Sequence, residues 1–430
     1  MRYKKVNLIK VKNIILLIIA ILIITAIFLF PAKEKGGIPI DAQIRYDERS
    51  LVEARNYQKL GDNLVQCNLC FRGCIIKEDR RGTCRNRANI NGTLYTLNYG
   101  KPCAIHLDPI EKEPAFHMYP GGSIFCIATA GCNFRCLFCQ NWTISQQEVE
   151  NTQYIYLTPK KAVQLAKESG CDAISFTYSE PTSFYEYMYD IAKLAQEEGL
   201  KVIFHTNGAM QPEPLRTLLK HMDAVVVDLK GFTDEFYTKI SSAKLEPVLQ
   251  SLKIIKEEGV WLEIVNLIVP TKNDDMEDIK KMCEWIKENL GEETPIHFSR
   301  FFPAYKMLKL PPTPIATLEQ ARAIALEVGM HYVNIGNAPG HMANSTYCPQ
   351  CGNILISRVH FMVLANNIIG GRCKFCGHKI PGIWRDVDST QSSHQGQASH
   401  KTYAKKHLKL LNNTILKKVE KNLINNYNKL

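Results

Sequence analysis

Net charge is nearly absent from the body of this chain. Of the total +11, residues 1–12 hold five basic residues and no acid, and residues 386–430 hold eight lysines against Asp386, Asp388 and Glu420. That leaves +1 for residues 13–385. A body so close to neutral excludes a broad phosphate-binding surface, and nucleic acid as a partner with it. The basic ends point instead to an anionic surface, most simply the cytoplasmic face of a membrane. Export marks are missing as well. The apolar run Ile14–Phe30 is followed by no evident small-residue cleavage site and no lipobox cysteine, and no twin-arginine pair precedes it. The cysteines are not spaced as a disulfide framework. In a chain of 430 residues, C-x2-C and C-x3-C spacings suit metal sites better. A reducing compartment follows, the cytoplasm of an anaerobe or microaerobe.

What the chain has in excess is cysteine. Of fifteen, eleven fall into three groups. Cys132, Cys136 and Cys139 form a C-x3-C-x2-C triplet in G-C-N-F-R-C-L-F-C-Q-N-W, with Phe138 before the last cysteine. Three thiolates at this spacing can grip one face of an iron–sulfur cube and leave one iron open. Cys348 and Cys351 in C-P-Q-C-G, with Cys373 and Cys376 in C-K-F-C-G, are two zinc knuckles. Glycine after each pair eases the turn that aims amides at the sulfurs. Four protein ligands close that site, so its role is structural. Cys67, Cys70, Cys74 and Cys84 could close a zinc site, hold an auxiliary cluster, or stay free as redox thiols; spacing alone does not choose.

In chain order, residues 1–31 are a basic N-terminus and a candidate transmembrane helix. Ile14–Phe30 is an uncharged run of 17 residues, at the short end of what spans a bilayer. A cleaved signal and a buried core helix are its rivals. Counting flanking charge puts the body outside, whereas the metal-type cysteine spacings call for a reducing compartment; we expect the body to face the cytoplasm. Residues 32–60 read as a linker with a short helix over Asp47–Lys59, and 61–122 as a Cys-rich module ending in the loop Asp108–Gly122. Over 123–340, apolar runs alternate with amphipathic helices. The runs are Ile124–Ala130, Ala173–Glu180, Val202–Gly208, Ala224–Gly231, Trp261–Pro270 and Pro295–Pro303. The helices are Pro159–Ser169, Ser183–Glu198, Pro212–His221, Leu245–Glu258 and Asp274–Asn289, with a further helix at Leu318–Val328 and a strand at Tyr332–Ile335. This predicts a parallel sheet covered by helices, an α/β partial barrel of six strands with its polar residues at the strand ends. The zinc ribbon spans 345–385. Residues 386–430 are a flexible stretch and a basic amphipathic tail, which could lie on a membrane surface, dock on the body or remain disordered.

With these motifs in view, the chain from about Cys67 to Trp384 resembles the radical S-adenosylmethionine (SAM) enzymes of the AmmeMemoRadiSam system, relatives of the pyruvate formate-lyase activating enzymes. Further matching segments are D-P-I-E-K-E-P from Asp108, T-Y-S-E-P-T from Thr177, T-N-G from Thr206, D-L-K from Asp228 and H-F-S-R-F from His297. The resemblance implies a partial (β/α)6 radical SAM barrel. It implies a 4Fe–4S cluster on Cys132, Cys136 and Cys139 whose open iron takes the amino and carboxylate groups of SAM. Phe138, Glu180, Asn207, Asp228, Lys230 and His297 would line the SAM site, Glu180 and its neighbours forming the segment that receives the methionine amino group, and Val269 and Pro270 would flank the adenine through backbone contacts. Two positions depart from the pattern. His205 stands where activating enzymes often have an acid before T-N-G, and Phe301-Phe302-Pro303 replaces F-H-P, so a SAM-contacting histidine is missing or supplied by His297. The implied partners are a low-potential electron donor, a protein substrate and a Memo-like protein. The same radical chemistry on a small molecule, or a non-catalytic membrane-tethered metal-binding protein, are the competing readings.

Overall fold

The computed structural model describes residues 51–385. The apolar run Ile14–Phe30 and the basic tail lie outside them. Among the described residues no helix is long and apolar enough to cross a membrane. The chain enters through a β module. Strands β1 (Val52–Glu53), β5 (Arg87–Ile90) and β6 (Thr93–Thr96) form one small sheet. Strands β2 (Tyr57–Gly61), β3 (Leu64–Cys67) and β4 (Ile75–Ile76) form another. The helix expected over Asp47–Lys59 is therefore corrected: its described part is strand. The turn at Asp62–Asn63 decides this. Both residues adopt positive φ, 47° and 53°, the backbone that closes a tight two-residue hairpin. Cross-strand pairing with β3 then overrides the local helical pattern.

The centre is an eight-stranded sheet whose strands neighbour one another in chain order. They are β7 (Ala104–Pro109), β8 (Ser123–Ala128), β9 (Ala173–Phe176), β10 (Lys201–Thr206), β11 (Ala224–Asp228), β12 (Trp261–Ile268), β13 (Ile296–Arg300) and β14 (Val333–Gly336). From β8 to β14 every pairing is parallel; β7 adds antiparallel to β8. The six expected strands are all present, and the run at Tyr332–Ile335 joins as a seventh parallel strand. The ends β7 and β14 do not pair, so the barrel is open. Helices α1 (Pro159–Glu168), α2 (Tyr185–Glu197), α3 (Pro212–Leu219), α4 (Glu246–Glu257), α5 (Met276–Leu290) and α6 (Ile315–Val328) cover it. Their starts follow local chemistry: Thr158 caps α1 ahead of Pro159, and Asp275 caps α5 by accepting from the Glu277 and Asp278 amides. β8, β9 and the first four residues of β11 are buried on both faces, which is why they read as unbroken apolar runs.

The last layer is the ribbon. β15 (Thr346–Tyr347), β16 (Ile354–Val359) and β17 (Met362–Asn366) form a sheet, and β18 (Ile368–Ile369) pairs with β19 (Arg372–Cys373). Its core joins Leu355, Ile356, Val363 and Ile380 to Tyr332 beside the barrel.

Candidate active site

A cavity of about 480 Å³ opens at the C-terminal ends of the barrel strands. Its floor is the loop after β8. Cys132, Cys136, Cys139 and Phe138 line it, together with Glu180 after β9, Asn207 after β10, Asp228 and Lys230 after β11, and His297 on β13. All nine residues expected there from the sequence thus meet in one space. Parallel strands make this possible, because every strand delivers its C-terminal end to the same side.

The cysteine loop leaves β8 through Gly131, at φ +108°. A Cβ there would lie 2.4 Å from Asn86 Nδ2 and 2.7 Å from the Cys84 carbonyl oxygen, so only glycine fits. The donors around the sulfurs suit thiolates. The Phe134 amide donates to Cys132 Sγ at 3.3 Å, Asn207 Nδ2 approaches the same sulfur at 3.8 Å, and Ser145 Oγ lies 3.2 Å from Cys139 Sγ. Burial pushes the Cys136 thiol up to about 11, with Lys230 opposing, and lifts Cys132 well above its usual range. As free thiols they hold their protons, and binding a metal group releases them. The chemistry of the three sulfurs fits an iron–sulfur cube.

Four donors already reach the Glu180 carboxylate, which lines the cavity. Its Oε1 accepts from the Thr182 amide (3.0 Å), Thr182 Oγ1 (2.6 Å) and Thr206 Oγ1 (2.8 Å), and its Oε2 accepts from the Asn207 amide (2.8 Å). The carboxylate clamps the T-N-G segment against the end of β9. Asn207 extends the clamp, donating to Asn133 Oδ1 at 2.8 Å. Val269 departs from expectation. It is fully buried and its N–H is taken by Asn273 Oδ1 at 2.6 Å, while Val265 and Leu267 of the same strand line the cavity.

The charged part of the wall is a row. Glu113 Oε1 lies 3.4 Å from His205 Nδ1, His205 Nε2 lies 3.4 Å from Asp228 Oδ1, and Asp228 Oδ2 accepts from Lys230 Nζ at 2.8 Å. Burial would lift the Asp228 carboxyl, but Lys230 and His205 hold it well below the usual carboxylate range. Burial would lower His205, but Asp228 and Glu113 raise it to about 10, so it is an imidazolium at neutral pH. A carboxylate thus stands beside His205 from Glu113, on the loop after β7.

That loop carries most of what the sequence did not reveal. Asp108 accepts from Lys112 Nζ at 2.8 Å and from the Tyr178 hydroxyl. Tyr178 sits at φ +62°, and its carbonyl accepts from Asn141 Nδ2 at 2.9 Å, which ties the cysteine loop to the end of β9. Deeper, Glu263 accepts from the Phe116 and His117 amides and from His297 Nε2 at 2.7 Å. His297 is 1% exposed, packed edge-on to Phe116. It braces the loop at the bottom of the cavity. From the ribbon, Arg358 donates to the Phe116 carbonyl and Thr346 Oγ1, both at 2.7 Å, and lies 3.6 Å from Glu111. His360 and Phe361 reach the cavity rim. The D-P-I-E-K-E-P run was the available signal for this loop; nothing local signalled Glu263 or Arg358.

The two remaining cysteine groups differ in spacing. Cys348 Sγ lies 3.7 Å from Cys376 Sγ, and Cys351 Sγ 3.8 Å from Cys373 Sγ. All four lie within 4.8 Å of one another. A tetrahedron with bonds of about 2.3 Å has an edge of about 3.8 Å. Cys67, Cys70, Cys74 and Cys84 line a second, small cavity but form no such tight group.

An open barrel with a C-x3-C-x2-C loop at its mouth defines an enzyme class. Residues 126–286 match the model of the radical SAM superfamily, so the chain carries a radical SAM domain. It belongs to one family with the uncharacterized protein MJ0808 of Methanocaldococcus jannaschii, to which it is 50% identical over 330 residues, 76% of this chain and 98% of that protein. It is also similar to the pyruvate formate-lyase-activating enzyme of Clostridium pasteurianum, 28% identical over 160 residues, 36% of this chain and 66% of the relative. A solved radical SAM methyltransferase from Sphaerobacter thermophilus matches with a TM-score of 0.42 at 14% identity, over 71% of this chain and 81% of that one. The protein is a radical SAM enzyme, a class that implies SAM and a 4Fe–4S cluster.

Proposed function

We propose that this enzyme cleaves SAM reductively and abstracts a hydrogen atom from a protein or peptide, as a glycyl-radical activating enzyme does. The observation that carries the reading is the meeting of Cys132, Cys136 and Cys139 with four strand ends in one cavity of about 480 Å³. Cys132, Cys136 and Cys139 would hold the cluster. Bound there with SAM, it supplies the electron that splits the sulfonium into methionine and a 5′-deoxyadenosyl radical. The chain's own residues bind, orient and shield. Asp228 and Lys230, already paired, present one acceptor and one cation to the ligand. Glu180 positions: through Thr206 and the Asn207 amide it fixes the amide nitrogen beside Cys132. Phe138, 4% exposed, and the Phe116 loop keep water from the reacting carbon. A protein substrate is supported by the activating-enzyme relative and by the rim, where the ribbon's His360 and Phe361 flank the opening. A low-potential electron donor follows from the chemistry. A Memo-like partner follows from the AmmeMemoRadiSam resemblance alone.

We assign zinc to Cys348, Cys351, Cys373 and Cys376 on their tetrahedral spacing. Ile14–Phe30 is the anchor of this reading, with the body on the cytoplasmic side and the basic tail on anionic lipid. Cell fractionation of the full chain checks the anchor: recovery in the soluble fraction would remove it.

Anaerobic reconstitution tests the enzyme reading. Reduced holoenzyme should release 5′-deoxyadenosine and methionine from SAM, and Cys136→Ala should abolish that release. No release from iron-loaded wild type would sink the proposal. Deuterium carried from a labelled candidate protein into 5′-deoxyadenosine identifies the substrate; transfer only from a small molecule would overturn the protein reading.

A further inference from the structure

The N-terminal cysteines sit against the active-site loop. The Cys84 carbonyl oxygen lies 2.7 Å from where a Cβ on Gly131 would stand, next to Cys132. Asn133 lines the small cavity of Cys67, Cys70, Cys74 and Cys84. The same asparagine accepts from Asn207, whose amide also approaches Cys132 Sγ. Arg72, from the C-F-R-G-C segment, donates to the Asn133 carbonyl at 2.9 Å. The two cysteine groups thus share a wall.

Spacing separates zinc from a cluster. A single zinc draws four sulfurs to tetrahedral edges, as in the ribbon, whereas a cube spreads its thiolates over four irons. Among the described residues the ribbon is the one group of cysteines gathered within 4.8 Å. Cys67, Cys70, Cys74 and Cys84 are not gathered in that way, although all four face one cavity. A second observation points to an anion there. Arg87, 2% exposed, lines the cavity. Its Nη2 is held by Glu186 at 2.7 Å and by the Arg55 carbonyl, but its Nε and Nη1 have no partner. Two buried N–H donors left open beside four thiols are what an anionic sulfur cluster would satisfy.

We infer that Cys67, Cys70, Cys74 and Cys84 hold a second iron–sulfur cluster, braced by Arg87, which passes electrons to the catalytic cluster. The electron role rests on the function proposed above; the metal assignment does not. One electron from an external low-potential donor reduces the second cluster and moves on through the shared wall. No bond forms or breaks at the second site. Four protein thiolates leave it no open iron, so SAM does not bind there.

The test is the full chain with Cys132, Cys136 and Cys139 all changed to alanine, reconstituted anaerobically with iron and sulfide. It should keep about four irons and four sulfides, half of the wild type's. Its reduced EPR signal should not change on adding SAM. Zinc in place of iron, or no metal beyond the ribbon's, overturns the assignment, whatever the fate of the SAM reading. The relay is read in Cys84→Ala preparations that retain the catalytic cluster's signal. SAM cleavage driven by a reduced ferredoxin-class donor should fall at least tenfold while cleavage driven by dithionite persists. Equal rates with both reductants would overturn the relay.

Discussion

Gly131 shows how a single backbone position gates the chemistry. At φ +108° any side chain is strained, by about 1–3 kcal/mol, and here a Cβ would also run into the Cys84 carbonyl and Asn86. Asn86 cannot give way, since it donates to the Ala130 carbonyl at 2.9 Å and accepts from the Val149 amide at 2.8 Å. Gly131→Ala should therefore displace the cysteine loop while leaving the barrel folded. Iron per chain and SAM cleavage should fall together, with far-UV circular dichroism unchanged; full iron loading in the variant would contradict the argument. At this scale the sequence was informative where chemistry is carried by spacing. The cysteines, Asn207, Asp228 and Lys230 were legible because strand ends and C-x-x-C turns are local. Glu180 was legible as a residue of the cavity, but its hold on the T-N-G segment was not. Its four donors come from Thr182, Thr206 and Asn207, and only folding brings them together, three on Oε1 and one on Oε2.

Among the elements, the loop between β7 and β8 decides most. β7 was not legible: prolines flank it and it pairs antiparallel with a strand fourteen or more residues on, in a stretch rich in loop signals. The hairpin of β2 and β3 was misread for a related reason, a helical local pattern overruled by a turn at Asp62–Asn63. His117 fixes the loop's far end. Its Nδ1–H donates to the Pro381 carbonyl at 2.8 Å and its ring packs on Trp261, Tyr332 and Trp384. Its Nε2 is buried without a partner. Burial lowers the ring to about 4, against the pull of Glu263, with Arg358 and His297 adding to the lowering. The sign follows. Below pH about 6.5 the unfolded ring takes a proton that the folded ring refuses until about pH 4. Stability therefore falls as pH drops through that window, by at most about 1.4 kcal/mol per unit. Glu263, held down to about 2 against its burial by His297 and His117, loses its own stabilisation as pH falls from about 4.5 to about 2. His117→Phe keeps the stacking and should flatten the urea midpoint between pH 6.5 and 4; an unchanged slope would exonerate His117.

For the whole molecule, the question is why a closed group of four cysteines, assigned above to zinc, stands beside a radical enzyme's mouth. The ribbon's knuckles lie far in sequence from the loop they serve, so spacing revealed the gathering of four cysteines but not its use. Arg358, on β16, reaches the Phe116 carbonyl and Glu111 across 242 residues of chain. Glu111 in turn accepts from the Gly121 amide at 2.9 Å, and Glu113, two residues on, holds His205. The ribbon thus sets the loop, and the loop sets the charged row opposite the cysteines. Cys351 and Cys376 are the exposed half of the four-cysteine group, and Cys348 and Cys373 the buried half. Changing Cys351 and Cys376 to alanine should release zinc while leaving the ribbon's apolar core to Leu355, Ile356 and Val363. Without the metal the strand bearing Arg358 loosens and the Asp108–Gly122 loop with it. Iron content should stay at the wild-type level, while the ribbon and the Asp108–Gly122 loop become sensitive to limited proteolysis and SAM cleavage drops several-fold. Zinc loss with the loop still protected and cleavage unchanged would mean that the ribbon does not hold the loop.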